Sequence, residues 1–252
     1  DACIDAVAKA ADLLAERGRI LAFTGAGASV ESGIPPFRGP GGLWETVDSG
    51  FIEIDRFHRE PKECWRRIKR VFYDFWGKAK PNPGHFALAD LQKAGVVFSL
   101  VTQNIDGLYQ RAGATDVVEF HGTMDRLECE RCAFSAPVSK EILAPDVPSC
   151  PRCGAVLKPA FVFYGEAIPE DALTRAFSDA RSAGGVLVVG TTGEVMPACR
   201  VPVEAKRAGA VVVEANPDES AFTRSIVDCF IPGKAGEVLP LLRDEIMKRI
   251  CS

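Results

Sequence analysis

The sequence predicts an α/β protein built on a parallel sheet, with a smaller lobe formed by insertions. Two observations point there. Five short apolar runs, "RILAFTG" (19–25), "VVFSLVTQN" (96–104), "VVEFHG" (117–122), "GVLVVGT" (185–191) and "AVVVEANP" (210–217), are nearly continuous rather than alternating, as strands covered on both faces are. Between several of them lie helical patterns, "NPGHFALADLQKAG" (82–95), "PEDALTRAFSDARSAG" (169–184) and "PACRVPVEAKRAG" (197–209), each ending near a glycine. Strand and helix in alternation make a parallel sheet.

Taken in order, residues 1–18 read as an amphipathic helix whose acidic residues interrupt any secretory-signal-like apolar run. The strand at 19–25 feeds a glycine loop. Residues 40–81 carry an aromatic and basic helical segment, "PKECWRRIKRVFYDFW" (61–76), and residues 123–160 are rich in Cys and Pro with little periodicity. These two stretches are expected to form a smaller lobe. Residues 1–39, 82–122 and 161–252 are expected to form the larger one, within a single catalytic domain. The last helix places Val238, Leu242, Ile246 and Ile250 at i, i+4 spacing, one face for docking.

Of the 252 residues, 47% are apolar and 25% charged, with a net charge of −4, so a globular chain without a global basic field is expected. Direct nucleic-acid binding and membrane attachment are therefore not expected, and no apolar run is long enough to span a bilayer. Nine cysteines, an odd number, argue against a disulfide framework and for a reducing compartment, cytoplasmic by default with the nucleus left open. Cys3, Cys64, Cys199, Cys229 and Cys251 are scattered and read as buried small hydrophobes or surface thiols. The other four are grouped. Cys129-x-x-Cys132 and, 17 residues on, Cys150-x-x-Cys153 have the spacing of a structural zinc site, two knuckles closing one tetrahedron with no open position.

The loop "TGAGASVESGIPPFRG" (24–39) raises the functional question. Gly25 and Gly27 permit a tight turn and close approach of backbone to phosphate, with a helix N-terminus favouring the anion. The third glycine of the usual dinucleotide pattern is absent, so the loop is equally a plain strand-to-helix turn. Three more strand ends carry polar groups: "TQNID" (102–106), "GTT" (190–192) and "ANPD" (215–218). In an open parallel sheet these converge outside the carboxyl ends of the strands, where ligands bind. Asn216 or Asp218 is placed to meet ribose hydroxyls. Of three histidines only His121 directly follows a sheet strand, in position for a general base. Neither a Gly-x-Ser-x-Gly elbow nor a His-Glu-x-x-His helix occurs.

Together, "GAGASVESGIPPFRG", "TQNIDGLYQRAG", "EFHGT", the paired Cys-x-x-Cys, "KPAFVFYGE", "GTTGEVMPA" and "EANPD" closely resemble, in this order and over nearly the whole chain, the sirtuins, NAD-dependent protein-lysine deacylases. The resemblance implies a Rossmann-like sheet, NAD as co-substrate, one structural zinc on Cys129, Cys132, Cys150 and Cys153, and acyl-lysine proteins or peptides as partners. It implies that Gly25, Ala26, Gly27 and Ser29 line the phosphate site, with Phe37 and Arg38 from a mobile loop. Gln103 and Asn104 would meet the nicotinamide ribose, and Ile105 and Asp106 the nicotinamide. Gly190, Thr191 and Thr192 would run along phosphates and ribose, with Asn216, Pro217 and Ala235 flanking the adenosine.

His121 and Asn104 are the implied catalytic residues. The acyl oxygen of the modified lysine attacks the ribose carbon and expels nicotinamide. His121 then helps deprotonate a ribose hydroxyl, and water completes transfer to O-acyl-ADP-ribose. A peptide strand is implied between Val162, Phe163, Gly165 and Glu166 on one side and Gly193, Glu194 and Val195 on the other, by β-augmentation. Glu166 and Glu194 suggest tolerance for basic flanking residues.

Tyr109 stands where the family commonly has His, a packing substitution, and Thr192 where it has Ser. Members that remove succinyl or malonyl groups carry Tyr-x-x-Arg. Here Tyr73 is followed by Trp76, so acetyl and other uncharged acyl groups are expected. Protein mono-ADP-ribosyl transfer and a non-catalytic NAD-responsive binding protein are the alternatives.

Overall fold

The computed structural model describes residues 2–37, 41–74 and 77–251. The strands are β1 (Ile20–Thr24), β2 (Val97–Thr102), β3 (Val117–Glu119), β4 (Gly122–Glu128), β5 (Ser135–Pro137), β6 (Lys158–Phe161), β7 (Gly185–Val189), β8 (Val211–Asn216) and β9 (Cys229–Pro232). Six of them form one all-parallel sheet in the order β3-β2-β1-β7-β8-β9. From β1 the chain builds outward one way through β2 and β3. From β7, on the other side of β1, it builds the opposite way. The order therefore reverses between β1 and β7, where an open sheet leaves its crevice.

The continuous apolar runs are explained by cover on both faces. Ile20, Ala22, Leu100, Leu187, Val213 and Ile231 point into one core with the helices Ala2–Arg17, Pro83–Lys93 and Ala235–Ile250. Leu21, Phe23, Val101, Val186, Val188 and Val212 point the other way, onto Ala176 and Ala180 of Glu170–Ser182 and Val201 and Ala205 of Arg200–Arg207. Neighbours on a strand alternate between the cores, so both sets must be apolar.

β9 is a sixth strand that the sequence reading omits. "CFIP" is only four residues long and follows a turn-rich stretch, too short to show a period. The Cys-rich stretch is also more regular than its composition suggests, since β5, β4 and β6 pair antiparallel in a second sheet. A third core joins Phe51, Phe57, Trp65, Ile68 and Phe72 with Met124, Leu127, Leu157, Phe161 and Phe163. Trp65 is fully buried, and its indole N–H donates to the Leu157 carbonyl at 2.9 Å, tying the helix Pro61–Ile68 to the Cys-rich segment. After Ile68 the expected long helix widens into a π-turn over Lys69–Tyr73, where the Asp74 N–H reaches back five residues to the Lys69 carbonyl. Among the described residues no helix is long and apolar enough to cross a membrane.

Candidate functional site

The glycine loop leaves β1 at the point of strand reversal and turns as a 3₁₀ helix, Ala26–Ser32, with Gly25 at its N-cap. Its glycines serve first to admit another stretch of backbone. A Cβ on Gly25 would stand 2.8 Å from the Gly190 carbonyl oxygen, and one on Gly27 would stand 2.8 Å from Gly190 Cα. The Gly27 N–H donates to the Gly190 carbonyl at 2.8 Å, and Gly25 N–H to Val189 at 2.9 Å. The loops after β1 and β7 are therefore in backbone contact, and the polar ends of β2 and β8 lie beside them.

Ser29, 1% exposed, is the hub of a buried network. Its hydroxyl donates to Asp106 Oδ2 at 2.7 Å and accepts from Asn104 Nδ2 at 3.2 Å. His85 Nδ1 accepts the Asn82 N–H at 3.2 Å, so its proton sits on Nε2, which donates to Ser29 Oγ at 3.3 Å. Burial holds His85 neutral, pushed down to about 4. Burial also raises Asp106, against the bonds it accepts from Leu108 N–H and Ser29. Asn104 gives its second amide hydrogen to the Gly25 carbonyl at 3.0 Å. Both its N–H groups are thereby fixed on acceptors, and its Oδ1, with no partner among the described residues, is left to accept. Tyr109 is fully buried with its ring 4.7 Å from that of His85, the packing role expected of it.

His121 follows β3 and directs Nδ1 at the Gln103 carbonyl, 3.1 Å away. A carbonyl only accepts, so Nδ1 carries the proton and Nε2 is the free base. Burial lowers its pKa, against the opposing Gln103 bond, and keeps the ring neutral at physiological pH. Gln103 in turn donates from its side chain to Thr191 Oγ1 at 3.1 Å, joining the ends of β2 and β7. At the end of β8, Asn216 Nδ2 donates to the Thr191 carbonyl at 3.0 Å.

The other expected cofactor residues lie on the loops that follow β1, β2, β7 and β8 and at the start of the last helix. Ala26 opens the 3₁₀ turn, Ile105 is buried with its carbonyl on Met124 N–H, and Ala235 is buried at the start of the last helix. Thr192 and Pro217 are exposed. Phe37 stacks on Trp44 at 5.5 Å between ring centroids. Arg38 and Trp76 lie outside the described residues.

The segment 162–166 is anchored on both sides. Val162 N–H donates to the His121 carbonyl, Tyr164 N–H to Ile52, and Ile54 N–H to Tyr164. Gly193 packs under the Phe222 ring, which a Cβ would meet at 2.9 Å. Glu194 is exposed. Glu166 departs from the expectation that it faces a peptide's basic residues. Its Oε2 accepts the Phe163 N–H at 2.6 Å and lies 3.0 Å from the buried Lys158 ammonium, so of this pair only Glu194 offers a free charge.

Cys129, Cys132, Cys150 and Cys153 bring their sulfurs within 4.8 Å of one another. Two pairs, Cys129–Cys153 and Cys132–Cys150, stand at 3.5 Å. Four thiolates about 2.3 Å from one zinc would be roughly 3.8 Å apart, so the donor set fits a closed tetrahedral ion. Burial raises the Cys129 thiol, but amide N–H groups of Cys132 and Arg131 and the neighbouring thiols outweigh it and bring it to about 7. At Cys132 the Phe134 N–H is outweighed by burial and the same crowding of sulfurs, which push that thiol up to about 12. His85 and Asn82 are not among the residues that strand ends mark in the sequence. The signal was Asn-Pro-x-His opening a helix, since Asn82 caps that helix and His85 completes a capping box.

A model of the Sir2 family matches residues 25–197. An NAD-dependent protein deacylase of Pyrococcus furiosus is 44% identical over 246 residues, covering 94% of this chain and 96% of the relative. The crystal structure of a Sir2 homolog–NAD complex superposes with a TM-score of 0.87 at 37% identity, over 96% of this chain and 94% of that one. A Sir2–p53 peptide–NAD+ structure does so at 0.83 and 34%, over 92% and 95%.

Proposed function

The chain belongs to the Sir2 family, and from that premise we infer that it is an NAD-dependent protein-lysine deacylase. It removes acetyl and other uncharged acyl groups from lysine side chains, consuming NAD and giving nicotinamide and O-acyl-ADP-ribose. The observation that carries the reading is His121: a half-buried, neutral imidazole whose Nδ1–H is fixed on the Gln103 carbonyl, beside amide oxygens of Asn104 and Asn216 that have no partner among the described residues.

NAD supplies the electrophilic ribose carbon, and the remaining tasks fall to the chain's residues. Gly25, Ala26 and Gly27, backed by the buried Ser29, hold the phosphates with Gly190, Thr191 and Thr192 where the two loops meet. Asn104 Oδ1 orients a hydroxyl of the nicotinamide ribose, with Gln103, Ile105 and Asp106 around the nicotinamide. Asn216, Pro217 and Ala235 flank the adenosine, and Phe37 with Arg38 closes the reacting end against water. His121 Nε2 takes the proton of the ribose hydroxyl that attacks the acyl carbon. Val162, Phe163, Gly165 and Glu166 face Gly193, Glu194 and Val195 across the peptide strand.

The larger lobe comprises 1–39, 82–122 and 161–252, and the smaller 40–81 and 123–160. Zinc, held by Cys129, Cys132, Cys150 and Cys153, braces the smaller lobe and takes no part in the chemistry. Net negative charge and an odd cysteine count support a peptide-binding enzyme of a reducing, cytoplasmic compartment rather than a nucleic-acid or membrane binder. Mass spectrometry of an acetyl-lysine peptide with and without NAD tests the reading. Loss of acetyl that requires NAD and yields O-acetyl-ADP-ribose is expected. Labelled protein without peptide deacetylation would mean ADP-ribosyl transfer instead.

A further inference from the structure

Glu214 is a carboxylate with no access to solvent, on β8 between β7 and β9 and outside every role assigned above. Both of its oxygens are held by side chains. Oε1 accepts from Asn216 Nδ2 at 2.8 Å, and Oε2 accepts from Thr223 Oγ1 at 2.6 Å. Thr223 is itself fixed, since its hydroxyl accepts the Ser220 N–H at 2.8 Å. The same Asn216 amide gives its other hydrogen to the Thr191 carbonyl. A backbone carbonyl and a carboxylate that already takes a hydroxyl proton are both acceptors, so the Asn216 amide has one allowed orientation. Its NH₂ faces inward, and Oδ1, with no partner among the described residues, faces the crevice.

We propose that Glu214 is a positioning residue that sets the polarity of the adenosine-ribose subsite through Asn216. With the amide locked, the site presents an acceptor alone. A ribose hydroxyl, which can donate, is matched. A 2′-phosphate, which only accepts and is negatively charged, is rejected. Dinucleotide sites of the common kind place an acidic residue directly on the ribose hydroxyl. Here the acid is buried one step behind, and an asparagine relays its preference without exposing a charge beside the phosphates. Without Glu214, one Asn216 N–H has no acceptor and the amide is free to turn, offering a donor to the ligand.

This inference rests on the assignment of Asn216 to the adenosine end of NAD, so the test measures both. Calorimetric titration of ADP-ribose and of 2′-phospho-ADP-ribose into wild type, Glu214→Leu, Glu214→Gln and Thr223→Val is combined with KM and kcat for NAD and for an acetyl-lysine peptide. Glu214→Leu is expected to weaken ADP-ribose about tenfold or more, the equivalent of one lost hydrogen bond to a charged group. It is also expected to narrow the preference over the 2′-phospho ligand, with KM for NAD rising while kcat and the peptide KM hold. Glu214→Gln, which keeps an acceptor toward Asn216, should recover most of the loss. Thr223→Val should move both ligands in the direction of Glu214→Leu, by less, and guards against a Leu variant that folds poorly. Wild-type affinity for ADP-ribose in every variant would overturn the proposal and leave the enzyme assignment intact. A uniform fall in kcat, peptide KM and ligand affinity with unchanged selectivity would mean a purely structural role. No binding of ADP-ribose by wild type would overturn the subsite and the proposal together.

Discussion

Ser29→Ala removes the hub of the buried network. The hydroxyl donates to a buried carboxylate and accepts from His85, and no water reaches it at 1% exposure. Losing a hydrogen bond to a charged group costs about 1.5–3 kcal/mol, and leaving the His85 Nε2–H without an acceptor adds about 1–3 kcal/mol. Neighbours that share one network do not add fully, so about 2–4 kcal/mol is expected in the ligand-free protein. For a chain of this size that is a fall in Tm on the order of 6–12 °C.

The loss has a pH signature. Burial raises Asp106 above its ordinary range, so the folded chain holds that proton more tightly than the unfolded chain does. Its contribution to stability therefore falls as pH rises from the ordinary carboxylate range through the raised value. Ser29 favours the charged form, so removing it raises Asp106 further and makes the variant's deficit largest at neutral pH. His85, pushed down to about 4, stays neutral in both proteins across this window and cancels in the comparison. Urea unfolding at pH 7.5 and pH 5, followed by tryptophan fluorescence, reads both effects. The control is Ser135→Ala, whose hydroxyl meets only the exposed Arg126 and should shift stability by less than about 0.5 kcal/mol. A Ser29→Ala deficit no larger than the control's, or one of equal size at both pH values, would refute the network as described.

Removal of zinc by a chelator, or Cys129→Ala, should open residues 123–160 to proteolysis and abolish activity in step. Activity lost with the protease pattern unchanged would contradict a purely structural metal. Because burial lowers His121, kcat/KM should hold as pH falls past the ordinary histidine value and decline only when the imidazole takes a proton. A limb of the pH–rate profile lying above the ordinary value would point to another base. The Tyr73 hydroxyl donates to the Met124 carbonyl at 3.0 Å and is not free for an acyl carboxylate. Succinyl-lysine peptides should therefore turn over at least about 100-fold more slowly than acetyl-lysine peptides, the loss of roughly 2–3 kcal/mol of charge-assisted bonding. Comparable kcat/KM values for the two would show that another cation supplies the carboxylate's partner.

Much of the site was legible because its residues lie where chain geometry confines them. Gln103, Asn104, His121, Thr191 and Asn216 stand at or just past the carboxyl ends of parallel strands, and polar residues there break visibly from apolar runs. The cysteine spacing carried the metal site for a similar local reason. What escaped depends on contacts between distant segments. His85 looks like an ordinary residue of an amphipathic helix until the fold sets it against Ser29, 56 residues away. Gly25 and Gly27 read as a phosphate turn, but much of their necessity comes from Gly190. Glu166 seemed available to a peptide until Lys158 met it, and Glu214 was one acidic letter inside an apolar strand. β5 and β6 are only three and four residues long, and the antiparallel pairing of β4 with β6 spans up to 39 residues, which no window of local periodicity detects.

The proposal that His121 acts as base after nicotinamide has left is open to an isotope-exchange experiment. His121→Ala is incubated with acetyl-lysine peptide, NAD and labelled nicotinamide, and both exchange of label into NAD and release of free lysine are followed. Exchange is expected to survive while deacetylation falls by about 100-fold or more, the scale of a lost general base. Deacetylation within a few-fold of wild type, or exchange abolished along with it in a protein that still binds NAD, would contradict it.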